Sequence, residues 1–298
     1  MSLVATLITD PARADLGADA ADRFRGAVAD AGGAVGRPDW LAPGVACDVP
    51  LDGVALAAAR RLAGAIATAC GIDVVVQPAD ERRKRLLIAD MDATIVTGET
   101  LDELAAEAGL KDRISAITAR AMRGEIDFEG ALRERVAMLK GLPVAALQKT
   151  FDRTSLTPGA RALVQTMRAG GAYTVLVSGG FRFFTGRIAA AVGFHRDQAN
   201  DLVIEGDRLT GEVVEPILGR EAKLQALKHC AALNGVPLSA TLATGDGAND
   251  LAMIQAAGLG VAFHAKPVVE AEAPAAVRHG DLTALLYIQG YRKADFRS

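Results

Sequence analysis

The chain has 298 residues, 50% of them hydrophobic and 23% charged, which is enough apolar material for the cores of two globular units. A formal charge of -3, with Arg82-Arg83-Lys84-Arg85 as the one basic run, argues against a nucleic-acid or membrane surface, because either needs a broad positive field. Charges break every apolar stretch before membrane-spanning length, no secretory leader pattern opens the chain, and Cys47, Cys70 and Cys230 lack pairing or zinc spacing, so a cytoplasmic protein with reduced thiols is expected.

Residues 1–80 open on Leu3 to Ile8 and close on Ile72 to Val76, two apolar stretches of strand length separated by Ala-rich segments of helical spacing. Val35 to Val49 has room for two further strands, so the pattern is a small βαββαβ unit. Charge density then rises from Glu81 to Arg85, as at a domain boundary, and a second unit runs over residues 81–298. It starts with the apolar run Leu86 to Ala89. Four segments of helical spacing follow, Glu99 to Ala108, Arg113 to Met122, Phe128 to Leu139 and Pro143 to Phe151, punctuated by Gly109, Gly124 and Gly141. Beyond Pro158-Gly159 the chain alternates again: a helix to Met167, a strand Tyr173 to Val177 and a helix Phe181 to Val192. Leu202 to Val214 alternates around Gly206 and is predicted to be a hairpin beside the sheet. Leu218 to Leu233 is helical, Ala240 to Thr244 and Leu259 to Phe263 are strands, and Asp281 to Ile288 is a closing helix. Alternating strand and helix predicts an α/β fold with a doubly wound, largely parallel sheet.

Chemistry concentrates at two strand ends. Asp90-Met91-Asp92-Ala93-Thr94 follows the first strand of the second unit, and Gly245-Asp246-Gly247-Ala248-Asn249-Asp250 follows Ala240 to Thr244. If these strands neighbour one another, four carboxylates converge on one point, which is tolerable only with a bound cation. An all-oxygen set without histidine suits Mg²⁺. Each cluster alone is as well read as solvated turn residues.

With Ser178-Gly179-Gly180 and Lys223 set between them, the two clusters resemble the haloacid dehalogenase (HAD) superfamily of phosphohydrolases, from about Arg85 onward. Within it, Ala121-Met122-Arg123-Gly124-Glu125-Ile126-Asp127-Phe128, Leu132-Arg133-Glu134-Arg135-Val136, Val177 to Phe181 and Gly245 to Asp250 stand in the order found among phosphoserine phosphatases. The resemblance implies a HAD-like Rossmannoid sheet with a helical C1-type cap inserted at about 98–152. The N-terminal unit is similar to the ACT-like domains that precede longer members. Its loop Thr9 to Asp15 lacks the Pro-Gly pair of amino-acid-binding examples, so a structural role, or a homodimer formed through it, is expected ahead of serine sensing.

The same resemblance implies the roles. Asp90 is the nucleophile and Asp92 the general acid and base. Mg²⁺ is held by the carboxylates of Asp90 and Asp246 and the backbone carbonyl of Asp92, with Asp250 orienting metal-bound water. The Ser178 hydroxyl, and the Gly179 amide at the start of the following helix, donate to phosphate, Lys223 offsets its charge, and Asn249 bonds phosphate or Ser178. Glu99 matches a substrate ammonium and Arg135 a carboxylate, while Met122 and Phe128 form an apolar lid. Ala93, where serine is common in the family, is expected to face the packing side of its strand. The implied reaction is hydrolysis of phosphoserine, a small-molecule substrate, to serine and phosphate through an aspartyl-phosphate, the last step of serine biosynthesis. Two alternatives stay open: the same core acting on another small amino-containing phosphate ester or transferring the phosphoryl group to a second alcohol such as homoserine, and a serine-sensing regulator built on a vestigial phosphatase.

Overall fold

The computed structural model describes residues 2–122, 125–219 and 221–298, with the side chains of residues 119, 121 and 122 outside that description. The N-terminal elements are β1 (Leu3–Ile8), α1 (Ala18–Asp30), β2 (Ala34–Val35), β3 (Asp39–Ala42), β4 (Ala46–Asp52), α2 (Leu56–Cys70) and β5 (Asp73–Pro78). They form an antiparallel sheet in the order β2-β4-β1-β5, with β3 also paired to β4. The edge strand expected before β4 is broken into β2 and β3 across Gly36-Arg37-Pro38, where proline cannot donate to a ladder.

All six residues of β1 are buried, which requires cover on both faces of the sheet. Leu3, Ala5 and Leu7 pack with Phe24 and Val28 of α1 and Ala59 and Ala63 of α2. Ile8, Leu41, Ala42, Ala46 and Val75 instead join the large core of the C-terminal half, with Leu285, Tyr287 and Ile288. Polar contacts fasten the same junction: Arg82 reaches Asp48 at 2.6 Å and donates to the Ile288 carbonyl, and Gln77 Nε2 donates to that carbonyl at 2.6 Å.

The C-terminal half runs β6 (Leu86–Asp90), α3 (Thr100–Glu107), α4 (Lys111–Met122), α5 (Phe128–Ala137), α6 (Val144–Arg153), α7 (Ala160–Ala169), β7 (Tyr173–Phe181), α8 (Arg182–Val192), β8 (Arg196–Asn200), β9 (Leu202–Glu205), β10 (Arg208–Val213) and α9 (Ala222–Leu233). It continues through β11 (Thr241–Gly245), α10 (Leu251–Ala256), β12 (Leu259–Phe263), α11 (Pro267–Glu272), β13 (Ala275–Val277) and α12 (Ala284–Ile288). Six strands make a parallel sheet in the order β13-β12-β11-β6-β7-β8. Both faces are covered: Leu87, Ala89 and Leu176 meet α7 and α8, whereas Leu86, Ile88, Val175 and Val177 meet α9 and α10. That explains why β6 reads as an unbroken apolar run rather than an alternation.

The hairpin β9–β10 is a two-stranded sheet of its own, packed on the end of α5 and the turn after it: a Cβ on Gly211 would come within 2.9 Å of Lys140 and 3.2 Å of the Ala137 carbonyl, the Gly141 N–H donates to the Leu209 carbonyl, and the Val144 N–H donates to the Asp207 carbonyl. Strands β8 and β13 carry no sequence signal, since Arg196-Asp197-Gln198-Ala199-Asn200 is mostly polar and β13 has three residues.

Candidate active site

In the order of the parallel sheet, the chain moves outward on one side from β6 to β8 and on the other from β11 to β13, so its direction reverses between β6 and β11. Loops leaving those neighbouring strands diverge and open a crevice at their carboxyl ends. Asp90 is the last residue of β6, and Asp246 follows β11 directly.

Asp90 is 6% exposed. Its Oδ1 accepts the Met91 N–H at 2.7 Å and lies 2.7 Å from Lys223 Nζ. Lys223, in the first turn of α9, also reaches Asp250 Oδ1 at 2.5 Å. Asp250 occupies the N-cap position of α10, but its side chain does not cap that helix; its Oδ2 accepts the Gly247 N–H at 3.0 Å. Glycine is required here by space, because a Cβ on Gly245 would stand 2.4 Å from the Asp250 carboxyl. Burial raises Asp90 well above the usual carboxylate range, Asp250 adds to that rise, and Lys223 opposes it. Burial by itself lowers the Lys223 pKa, yet Asp250 and then Asp90 outweigh it, so the ammonium is held above its ordinary value.

Asp246 is pushed up to about 6, by burial first and then by Asp250; Thr94 donates to its Oδ1 at 3.3 Å. Oxygens of Asp90, Asp246 and Asp250 lie within 4.8 Å of one another. Three carboxylates therefore converge, not four. The fourth, Asp92, is drawn aside: its Oδ1 accepts both the N–H and the O–H of Thr100 at 2.8 Å, and its Oδ2 accepts the Ser178 hydroxyl at 3.0 Å. Burial still raises Asp92, against these hydrogen bonds.

A cavity of about 800 Å³ opens above these groups. Asp90, Asp92, Glu99, Phe128, Arg135, Ser178, Gly179, Asp246 and Asn249 line it, so nearly every residue singled out in the sequence meets at one place. Lys223 and Asp250 sit behind the wall, buried beneath Asp90. The Met122 side chain lies outside the described residues. Glu99 is open to the cavity, and its carboxyl is pushed up to about 7 by desolvation and then by Asp92, Asp246 and Asp102. Arg135, half-buried on α5, donates through Nε to the Ala131 carbonyl at 3.2 Å. Desolvation lowers its pKa, against the carboxylates of Asp102 and Glu99. Phe128 opens α5, whose N-cap Asp127 accepts the Gly130 N–H; its ring edge meets Gly179, where a Cβ would stand 3.1 Å away.

Two local expectations are corrected. The strand ending in Ser178 continues to Phe181, so Gly179 lies in extended chain three residues before α8 and not at a helix start. The bulge between Val177 and Phe181 lets the Gly180 N–H turn onto Ser178 Oγ at 2.8 Å. Ala93 does not face a strand's packing side: Met91–Ile95 form a tight turn in which Ala93 has φ +50 and its N–H bonds the Gly98 carbonyl. Thr94, Thr100 and Lys266, which also lines the cavity, were not foreseen. A threonine opening a helix reads as a cap; that it holds a carboxylate eight residues earlier depends on the turn at Ala93.

An α/β enzyme fold with buried acidic groups at the sheet's switch point is the class this arrangement defines. The chain belongs to the haloacid dehalogenase-like hydrolase family, whose model matches residues 87–255. It is 40% identical to a phosphoserine phosphatase of Streptomyces coelicolor, over 94% of this chain and 69% of that protein. For two further curated phosphoserine phosphatases that it matches, the chain spans 63% and 53% of their length. A solved HAD family hydrolase from Salmonella enterica serovar Typhi superposes with a TM-score of 0.85 at 29% identity, covering 97% of this chain and 98% of that one. A phospho-aspartyl intermediate analogue of phosphoserine phosphatase superposes with a TM-score of 0.64 at 38% identity, over 69% of this chain and 98% of that one. Among the described residues, no helix is long and apolar enough to cross a membrane.

Proposed function

We propose that this chain hydrolyses O-phospho-L-serine to L-serine and phosphate. The observation that carries the reading is the pairing of Asp90 with buried Lys223 at the floor of a cavity whose walls include Asp92, Glu99 and Arg135. The clustered oxygens of Asp90, Asp246 and Asp250 form a donor set suited to Mg²⁺, which Asp90, Asp246 and the Asp92 backbone carbonyl would hold, with Asp250 behind them. Bound there, Mg²⁺ would supply positive charge that keeps Asp90 ionised and neutralises the phosphate.

The chain's own groups divide the rest. A phosphate monoester repels nucleophiles, so Lys223 offsets charge where the phosphoryl group approaches Asp90. An Asp90 oxygen attacks phosphorus, the bond from phosphorus to the serine oxygen breaks, and Asp92 passes its proton to that oxygen. Asp92 then takes a proton from water, whose oxygen attacks the aspartyl-phosphate, releasing phosphate and restoring Asp90. The burial that raises Asp92 favours the protonated start this requires. On this reading the Ser178 hydroxyl, which donates to Asp92, and the Gly179 N–H would donate to the bound phosphate, with Asn249 beside them on the cavity wall.

Glu99 and Arg135 recognise the ammonium and carboxylate of the amino acid, and Phe128, with Met122, closes over it. On the same reading residues 98–152 are the cap of a phosphatase domain spanning 81–298, and residues 1–80 are an ACT-like domain that is structural or dimerising. The reaction would close serine biosynthesis in the cytoplasm. The test is phosphate release from O-phospho-L-serine with and without Mg²⁺, beside the Asp90→Asn variant. Turnover that needs both Mg²⁺ and Asp90, and no added alcohol, supports it; turnover only with an added alcohol such as homoserine favours transfer.

A further inference from the structure

Asp73 begins β5, is 1% exposed, and has no cationic partner among the described residues. Backbone amides satisfy it instead. Its Oδ1 accepts the N–H of Arg278 at 2.7 Å and of His279 at 3.3 Å, and its Oδ2 accepts His279 at 3.1 Å and Gly280 at 2.8 Å. These amides belong to the turn that follows β13, so a carboxylate of the N-terminal sheet shapes a loop of the C-terminal half.

Gly280 extends the connection towards the cavity. Its carbonyl lies 2.8 Å from His264 Nε2, and because a carbonyl only accepts, the ring must carry its proton on Nε2. His264 follows β12 with φ +45, a left-handed conformation costly for a residue other than glycine. Its N–H bond to the Val277 carbonyl, its stack on Phe263 and its ring bond to Gly280 hold it there. Two residues further on, the Lys266 N–H bonds the Asp246 carbonyl at 3.4 Å and the Lys266 side chain lines the cavity, where its charge acts on Asp246 and Glu99.

We infer that Asp73 is a positioning residue for the reaction, holding the 264–266 loop and thereby Asp246 and Lys266 through Gly280 and His264. Attachment of the N-terminal sheet does not need it, since Arg82 with Asp48 and Gln77 with Ile288 already bridge that junction. The inference rests on the phosphatase reading for its kinetic consequence, but not for its structural one.

The experiment uses the full chain with Asp73→Asn, His264→Phe, His264→Gln and the double variant Asp73→Asn/His264→Phe. Asp73→Asn and His264→Phe should each lower kcat on phosphoserine about tenfold with KM within about twofold. The double variant should be no worse than either alone, and His264→Gln, whose amide can donate, should restore most of the loss. Hydrogen exchange at the Lys266 amide gives a reading free of activity: it should quicken in Asp73→Asn and His264→Phe and stay slow in His264→Gln. Unchanged exchange in a folded Asp73→Asn variant overturns the inference, even if the wild-type chain releases no phosphate. If Asp73→Asn does not fold, equal kcat and exchange in the two His264 variants overturns it.

Discussion

Lys223 Nζ lies 2.7 Å from Asp90 Oδ1 and makes its second ion pair, at 2.5 Å, with Asp250, all three groups being buried. Removing the ammonium leaves two uncompensated carboxylates in a desolvated site. Lys223→Met should therefore destabilise the metal-free chain by about 3–5 kcal/mol in urea unfolding, and lower kcat by about 10²–10³. Unaltered stability would mean that the Lys223 ammonium does not hold this cluster together.

The folded chain holds protons that the unfolded chain would give up. Asp246 stands at about 6 and Glu99 at about 7, against ordinary values of 3.8 and 4.5. Raised carboxyls contribute stability that is present below their unfolded values and lost as pH rises through the folded ones. With chelator present, the melting temperature should fall between about pH 4 and pH 7, and Asp246→Asn should flatten the lower part of that fall. Calorimetry across this range is the measurement; a steady rise shared by the variant would contradict the assignment.

Glu99 gives a separate kinetic signature. As the ammonium partner it must be ionised, so kcat/KM for phosphoserine should drop as pH falls through about 7. Glu99→Gln should be slower and lack that limb, whereas esters without an amino group should not show it in either protein.

Arg135 offers a planar fork from α5, beside Glu99 on the cavity wall. Arg135→Ala should cost about 2–5 kcal/mol in kcat/KM for phosphoserine, and Arg135→Lys should recover little of it, because a point charge does not match a carboxylate bidentately. Equal losses on a phosphate ester without a carboxylate would place the arginine elsewhere in the mechanism.

Ala93 adopts φ +50 in the turn that carries Asp92 towards Thr100. Ala93→Gly should be tolerated, whereas Ala93→Val should cost about 1–3 kcal/mol in thermal or urea unfolding, since a branched side chain fits the left-handed region poorly. A silent Ala93→Val variant would show that the turn relaxes at no cost.

The amino-acid order alone determined that Asp90 and Asp246 leave strand ends, because buried parallel strands need unbroken apolar runs and the polar residues that stop them mark the sheet's edge. It also determined the helices after β6, through spacing and glycine punctuation, and so which side chains could meet above the sheet. Only the folded chain decided that β6 and β11 are neighbours, that Asp92 is drawn to Thr100 and Ser178 while Asp90 pairs with Lys223, and that Asp73 reaches the turn after β13. Those relations join residues far apart in the chain. They rest on backbone turns and bulges that any of several sequences can form, and hence leave no periodicity to read.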